Sequence, residues 1–183
     1  ETYGLDCRYQ EYSLSNDSTS FYKNVICNLD ASKEKTFVIG AHYDVCGNQE
    51  GADDNATGVS GILELGRLLS KEKNKLTHNI EFVAYTLEEP PFFASKDMGS
   101  FVHAQSIAPQ KHKYQGMISL EMIGYFSTED IQEYPAGIGA FYPSHANFIA
   151  SVSNISSKWI SDSYQDAMED LRELDVQKLA APS

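Results

Sequence analysis

The order of apolar patterns in this chain predicts an α/β fold, with a central mixed, mostly parallel β-sheet flanked by helices. A short, continuous apolar run at residues 36–41 is of the kind buried on both faces of a sheet, and residues 80–87 carry the strongest strand pattern in the chain. Stretches that can form helices follow each of them. A pair of N-terminal runs rich in Tyr, Val, Ile and Cys reads as a hairpin ahead of these units, which makes the sheet mixed.

Taken in order, residues 5–14 and 21–29 are strand-like, and the polar SNDST segment between them is turn-like. Residues 30–35 form a polar turn before the strand at 36–41. From residue 55 or 56 to about 71, Val59, Ile62, Leu63 and Leu69 fall on the helical period, flanked by Leu65 and Leu68. Gly58, Gly61 and Gly66 inside that stretch point to close packing on the sheet. KEKNK is a solvated turn, and residues 80–87 are the strongest strand, running straight into Glu88–Glu89. Pro90–Pro91 stop regular structure, and residues 95–108 can form a helix ended by Pro109. Residues 115–123 read as a strand with Glu121 near its end, 124–146 as a long surface loop, and 148–152 as a strand. Residues 157–174 complete the pattern as an amphipathic helix.

A chain of 183 residues can bury one substantial core, so residues 1–183 are read as a single, partial domain. The formal net charge of −12, with no basic cluster, argues against a nucleic-acid partner. No apolar run is long enough to be a membrane-spanning segment. Cys7, Cys27 and Cys46 lack zinc-finger spacing; one disulfide is possible, for example between the N-terminal strands, but spacing does not choose it. Asn16, Asn55 and Asn154 each open an Asn-x-Ser/Thr triplet, a pattern common by chance. The first residue is Glu1 rather than Met, which reads as a processed form and leaves the compartment open, secreted or periplasmic placement included.

The chemistry concentrates after the first apolar strand, in FVIGAHYDVCGNQEGADDNATG. His42, Asp44, Asp53, Asp54 and Asn55 crowd into the loop between that strand and the following helix, where open α/β sheets place their sites. Imidazole and carboxylate together suit a divalent cation such as zinc. The bland alternative is a solvated loop with a helix N-cap. Two more strands also end in acids, at Glu88–Glu89 and Glu121, and a carboxylate inside an apolar strand costs several kcal/mol unless paired or metal-bound. Three such strand ends together favour a shared metal site.

The segments AHYD, GADDNATG, LEE and SLEMIG together resemble the co-catalytic zinc aminopeptidases of the M28 peptidase family, a zinc exopeptidase-like fold. EEPPFFASKDMGSFVHAQ is similar to a bacterial subgroup of that family, with an inserted Pro-Pro-aromatic segment. The resemblance implies a peptide substrate and two zinc ions in the full-length protein. It implies His42, Asp53 and Glu121 as ligands of one ion, Asp53 and Glu89 of the other, with Asp53 bridging across a cis Asp53–Asp54 bond. Asp44 would orient the His42 imidazole. Glu88 would be the general base that takes a proton from water and delivers it to the leaving amine.

The family's fifth ligand is a His in a Ser-Asp-His motif, which the resemblance puts beyond Ser183. His78, His103, His112 and His145 do not match it and read as ordinary histidines. The domain is therefore expected to be incomplete at both ends, to hold at most one zinc ion well, and to be inactive as it stands. Two other functions fit the same residues: a single-zinc acyltransferase resembling glutaminyl cyclases, and a non-catalytic metal-binding module.

Overall fold

The computed structural model describes residues 3–134, 137, 139–171 and 174–181, and the chain divides into two compact units, residues 1–124 and 125–183. In the first unit, strands β1 (Asp6–Leu14) and β2 (Asp17–Leu29) form the antiparallel hairpin. The turn is tighter than the polar SNDST segment suggests, because Asp17 through Ser20 already belong to β2. Cys7 faces Cys27 across this ladder, and the two form a disulfide. Strand β3 (Thr36–His42) leads to helix α1 (Ala56–Lys71), and β4 (Asn79–Tyr85) to helix α2 (Gly99–Ile107). Strand β5 (Tyr114–Ser119) ends the set. The sheet order is β1-β2-β4-β3-β5, with two antiparallel junctions at the hairpin side and two parallel ones at β4-β3-β5.

The central strands β3 and β4 are largely apolar on both faces, and the sheet buries both there. One face packs Leu29, Ile39, Ala41, Ile80 and Phe82 against Ile62 of α1. Each fully buried side chain of this size contributes roughly 1.5–3 kcal/mol. Val59, Leu65 and Leu69 pack against the same cluster, whereas Leu63 is 62% exposed, one helical step past Ile62. The opposite face holds Ile26, Val38, Val83 and Tyr85. On that face β4 also carries Glu81, buried with His103 of α2. Glu81 Oε1 and His103 Nε2 lie 3.0 Å apart, off the alignment of a hydrogen bond, and His103 Nδ1 pairs with the Tyr85 hydroxyl at 3.0 Å. His103 is thus a buried, bonded histidine.

Two elements have bounds other than the sequence pattern suggests. The 95–108 helix begins only at Gly99, and its C-terminal end continues as a 3-10 turn over Ala108–Lys113, which accommodates Pro109 in its first turn. Strand β5 stops at Ser119; Leu120 N still donates to Gly40 O, but Met122 adopts φ 47° and turns the chain away.

In the second unit, β6 (Ser127–Asp130) pairs with the short β7 (His145–Ala146) inside the stretch expected to be loop. Strand β8 (Phe148–Asn154), helix α3 (Lys158–Leu171) and β9 (Asp175–Ala181) form a parallel β-α-β unit. Ser161, buried on α3, bonds the Ser151 hydroxyl on β8 at 2.8 Å, tying helix to strand. Among the described residues, no helix is long and apolar enough to cross a membrane.

Candidate metal centre

Three loops at the ends of β3, β4 and β5 meet around the His42 imidazole, which is 3% exposed. Its Nδ1 lies 3.1 Å from the Asp44 carbonyl oxygen, an atom that can only accept. Nδ1 therefore carries a hydrogen, and Nε2, which faces the acids, can give its lone pair to a cation once its own proton is displaced. Nε2 lies 3.1 Å from Asp54 Oδ1, 3.2 Å from Glu121 Oε1 and 3.9 Å from Glu88 Oε2. Two groups have ligand atoms close enough to share one ion: His42 with Asp54 and Glu121, and His42 with Glu88 and Glu89.

The Asp44 carboxylate approaches Nδ1 only to 3.5 Å and does other work. It accepts from the Glu88 amide at 3.2 Å and the Glu89 amide at 3.1 Å, fixing the backbone that carries both acids. Asp44 meets the imidazole chiefly through its main-chain oxygen rather than through its carboxylate.

The Asp doublet departs from expectation by one residue. Asp54 reaches His42, while Asp53 Oδ1 accepts from the Thr57 hydroxyl at 3.0 Å and the Gly124 amide at 2.9 Å. The cis peptide bond is Asp54–Asn55, not Asp53–Asp54. Neighbouring, identical side chains point in different directions, and sequence alone does not say which one enters a site.

Asn55, to which the sequence assigns no role at the metal, joins the helix start to the acids. Its Oδ1 does cap α1, accepting from Gly58 N at 3.0 Å, and it also accepts from Met122 N. Its Nδ2 donates to Leu120 O and to Glu121 Oε2. With Ile123 N on Thr57 Oγ1 and Gly124 N on Asp53 Oδ1, three successive amides after β5 are taken by side chains of the loop that starts α1. Gly58 makes this approach possible: a Cβ there would lie 2.3 Å from Asn55 Oδ1 and 2.6 Å from Leu120 O. Glu121 itself is half exposed and lies beyond the strand, so the penalty for an acid inside a strand does not apply to it.

The electrostatics are those of a cation site. Burial pushes the Glu88 carboxyl up, and the carboxylates of Glu121, Glu89 and Asp44 push it further against the opposing pull of His42. Glu121 is raised in the same way, first by burial, then by Asp54 and Glu89, with His42 opposing. Burial pulls His42 down, yet Glu121, Glu88 and Asp44 outweigh it and leave the imidazole above its ordinary value. Glu89 Oε1 is buried without any partner. Among the described residues no Lys or Arg pairs with these acids. A buried, unpartnered carboxylate oxygen within an uncompensated acidic cluster fits a divalent ion.

The sequence profile of peptidase family M28 matches residues 24–176. The chain belongs to this family. The M28 chain is 43% identical over 144 residues to YfbL, an uncharacterised protein of Escherichia coli, covering 73% of this chain and 43% of YfbL. It is 29% identical over 148 residues to a leucine aminopeptidase 1 of Leptosphaeria maculans, covering 72% and 37%. The chain spans less than half the length of these relatives. Among solved structures, LapB of Legionella pneumophila superposes with a TM-score of 0.68 at 22% identity, over 96% of this chain and 43% of LapB. The glutaminyl cyclase of Porphyromonas gingivalis gives 0.69 at 19%, over 99% and 62%. At these identities the structures share the fold. M28 membership makes this a metal-dependent peptidase fold and implies zinc as the ion.

Proposed function

We propose that this chain is part of one metallopeptidase domain, spanning residues 1–183 and more, that removes the N-terminal residue of peptides. Glu88 is the general base. The observation that carries this reading is the Glu88 carboxyl: raised by burial and by three acidic neighbours, and 3.9 Å from His42 Nε2. A carboxyl raised by burial and by neighbouring negative charge is suited to take a proton and release it again.

His42, Asp54 and Glu121 would hold one zinc ion, and Glu89, grouped with His42 and Glu88, would supply a further ligand. When bound, zinc supplies a Lewis acid that polarises the scissile carbonyl and makes water more acidic. Glu88 accepts a proton from the attacking water as its oxygen bonds to the carbonyl carbon. It returns that proton to the leaving amine as the C–N bond breaks. Asp44 keeps Glu88 in place through its amide and holds the His42 tautomer that leaves Nε2 free.

The test is Glu88→Gln in the full-length protein, with zinc content measured alongside turnover of short unblocked peptides. A general base contributes about 100- to 10,000-fold, so kcat should fall within that range at unchanged zinc content. A loss below about tenfold makes Glu88 a spectator. A peptide beginning with Gln separates this reading from the cyclase chemistry of the glutaminyl cyclase fold: hydrolysis releases free Gln, cyclisation releases ammonia and leaves pyroglutamate on the peptide.

A further inference from the structure

Glu88 and Glu89 sit at the start of a loop, residues 87–98, that leaves the end of β4 and returns at Gly99, the first residue of α2. Its neck is closed by one backbone bond, Gly99 N to Thr86 O at 2.9 Å. It is closed again by the side chain of Asn24, which is 0% exposed. The β2–β4 ladder ends at Val25 and Ala84, and beyond it the Asn24 amide takes over. Asn24 Oδ1 accepts from Thr86 N at 3.2 Å, and Asn24 Nδ2 donates to Gly99 O at 2.8 Å and to Gln10 Oε1 at 2.9 Å. A single buried side chain therefore grips both sides of the neck and ties them to the hairpin. A Cβ on Gly99 would lie 2.3 Å from Asn24 Oδ1 and 2.4 Å from Thr86 O, so the grip requires glycine there.

Between the neck and the acids stands Leu87, buried and at φ 56°. A branched residue persists in the left-handed region only when its surroundings over-determine it. Here the two clamps are Asn24 on Thr86 and Asp44 on Glu88 and Glu89. The far end of the loop is tied to the same hairpin: Asp97 accepts from the Ser15 amide and hydroxyl at 2.8 and 2.9 Å, and Tyr12 donates to Asp97 O.

We propose that Asn24 is a positioning residue of the metal centre: it holds Leu87 in its strained conformation and thereby sets the direction of Glu88 and Glu89 towards the ion. This rests on the metal-site reading given above. With Asn24 removed, Leu87 relaxes to negative φ and the two acids swing away from His42.

Cobalt(II) titration of the full-length protein tests it, because the visible spectrum of cobalt reports the ligand geometry without requiring turnover. Asn24→Ala should weaken cobalt binding by about 10- to 100-fold, the effect usual for residues that orient ligands, and alter the visible bands. Asn24→Ser, which keeps a hydroxyl in the buried position, should show the same change in smaller measure if the alanine variant does not fold. Ile80→Val, a truncation on the opposite face of the sheet, controls for stability and should leave the bands unchanged. Wild-type affinity and spectrum in a folded Asn24 variant would overturn the positioning role alone. Failure of the wild-type protein to bind cobalt would overturn it together with the metal-site reading.

Discussion

Asn55 Nδ2 donates to Glu121 Oε2 at 3.1 Å while the same side chain caps helix α1 through Gly58 N. One buried amide thus couples the start of a helix on β3 to a carboxylate at the end of β5, two strands that are neighbours in the sheet. Helix formation and assembly of the metal centre draw on the same hydrogen bonds.

Asn55→Ala should therefore cost more than a lost cap. The cap and the partners left unsatisfied at Leu120 O and Met122 N add to roughly 2–4 kcal/mol. Urea unfolding measures it. A loss near 0.5 kcal/mol would show that the turn after β5 is held by other bonds.

The two aspartates of the doublet should separate cleanly. Asp54→Asn removes a charged atom 3.1 Å from His42 Nε2 and should weaken zinc binding by at least about tenfold. Asp53→Asn should act mainly on stability, by about 1–2 kcal/mol, through Thr57 and Gly124. Calorimetric zinc titration of both variants checks it, and the reverse order would return the ligand role to Asp53.

How much of this was legible in the sequence follows from the physics of each element. The strands β3 and β4 were readable because both faces are buried and the runs are apolar apart from Glu81 on β4. Strand β9 was not, since DVQKLAA has neither β-branched density nor alternation, and its pairing with β8 comes from tertiary context. The acids were found as strand ends, but Asp53 and Asp54 are the same residue type one position apart, and only the turn geometry sends Asp54 to His42. Glu81 and His103 went unremarked as a pair because nothing local signals that an acid on β4 meets a histidine on α2. Asn24, remote in sequence from every acid it serves, carried no signal at all.

Zinc titration of this chain should give one tight ion. Both ligand groups of the described residues require His42, and with Nδ1 engaged by Asp44 O only Nε2 remains to give. A second ion would have carboxylates alone, which leave zinc largely hydrated, whereas catalytic zinc sites take about three protein ligands. Two tight ions per chain would mean that another residue completes a second site.

The last prediction concerns pH. Glu88 and Glu121 are raised from an ordinary 4.5, so the folded, metal-free chain binds their protons more tightly than the unfolded one. A raised carboxyl costs nothing below its unfolded value and becomes a penalty as pH rises through the folded one. His42 is raised from 6.5 by its acidic neighbours against the pull of burial, so the stability it contributes is complete below 6.5 and is lost as pH rises through its folded value. All three act in one direction. After chelation, stability should fall as pH rises from about 4.5 to somewhat above 6.5. Saturating zinc competes with those protons, and the stabilisation it brings should grow over the same interval. Thermal denaturation across that range, with chelator and with zinc, should give slopes of opposite sign. A metal-free protein that gains stability through the interval would show that these acids meet compensating positive charge in solution, and the case for an uncompensated cation site would fail.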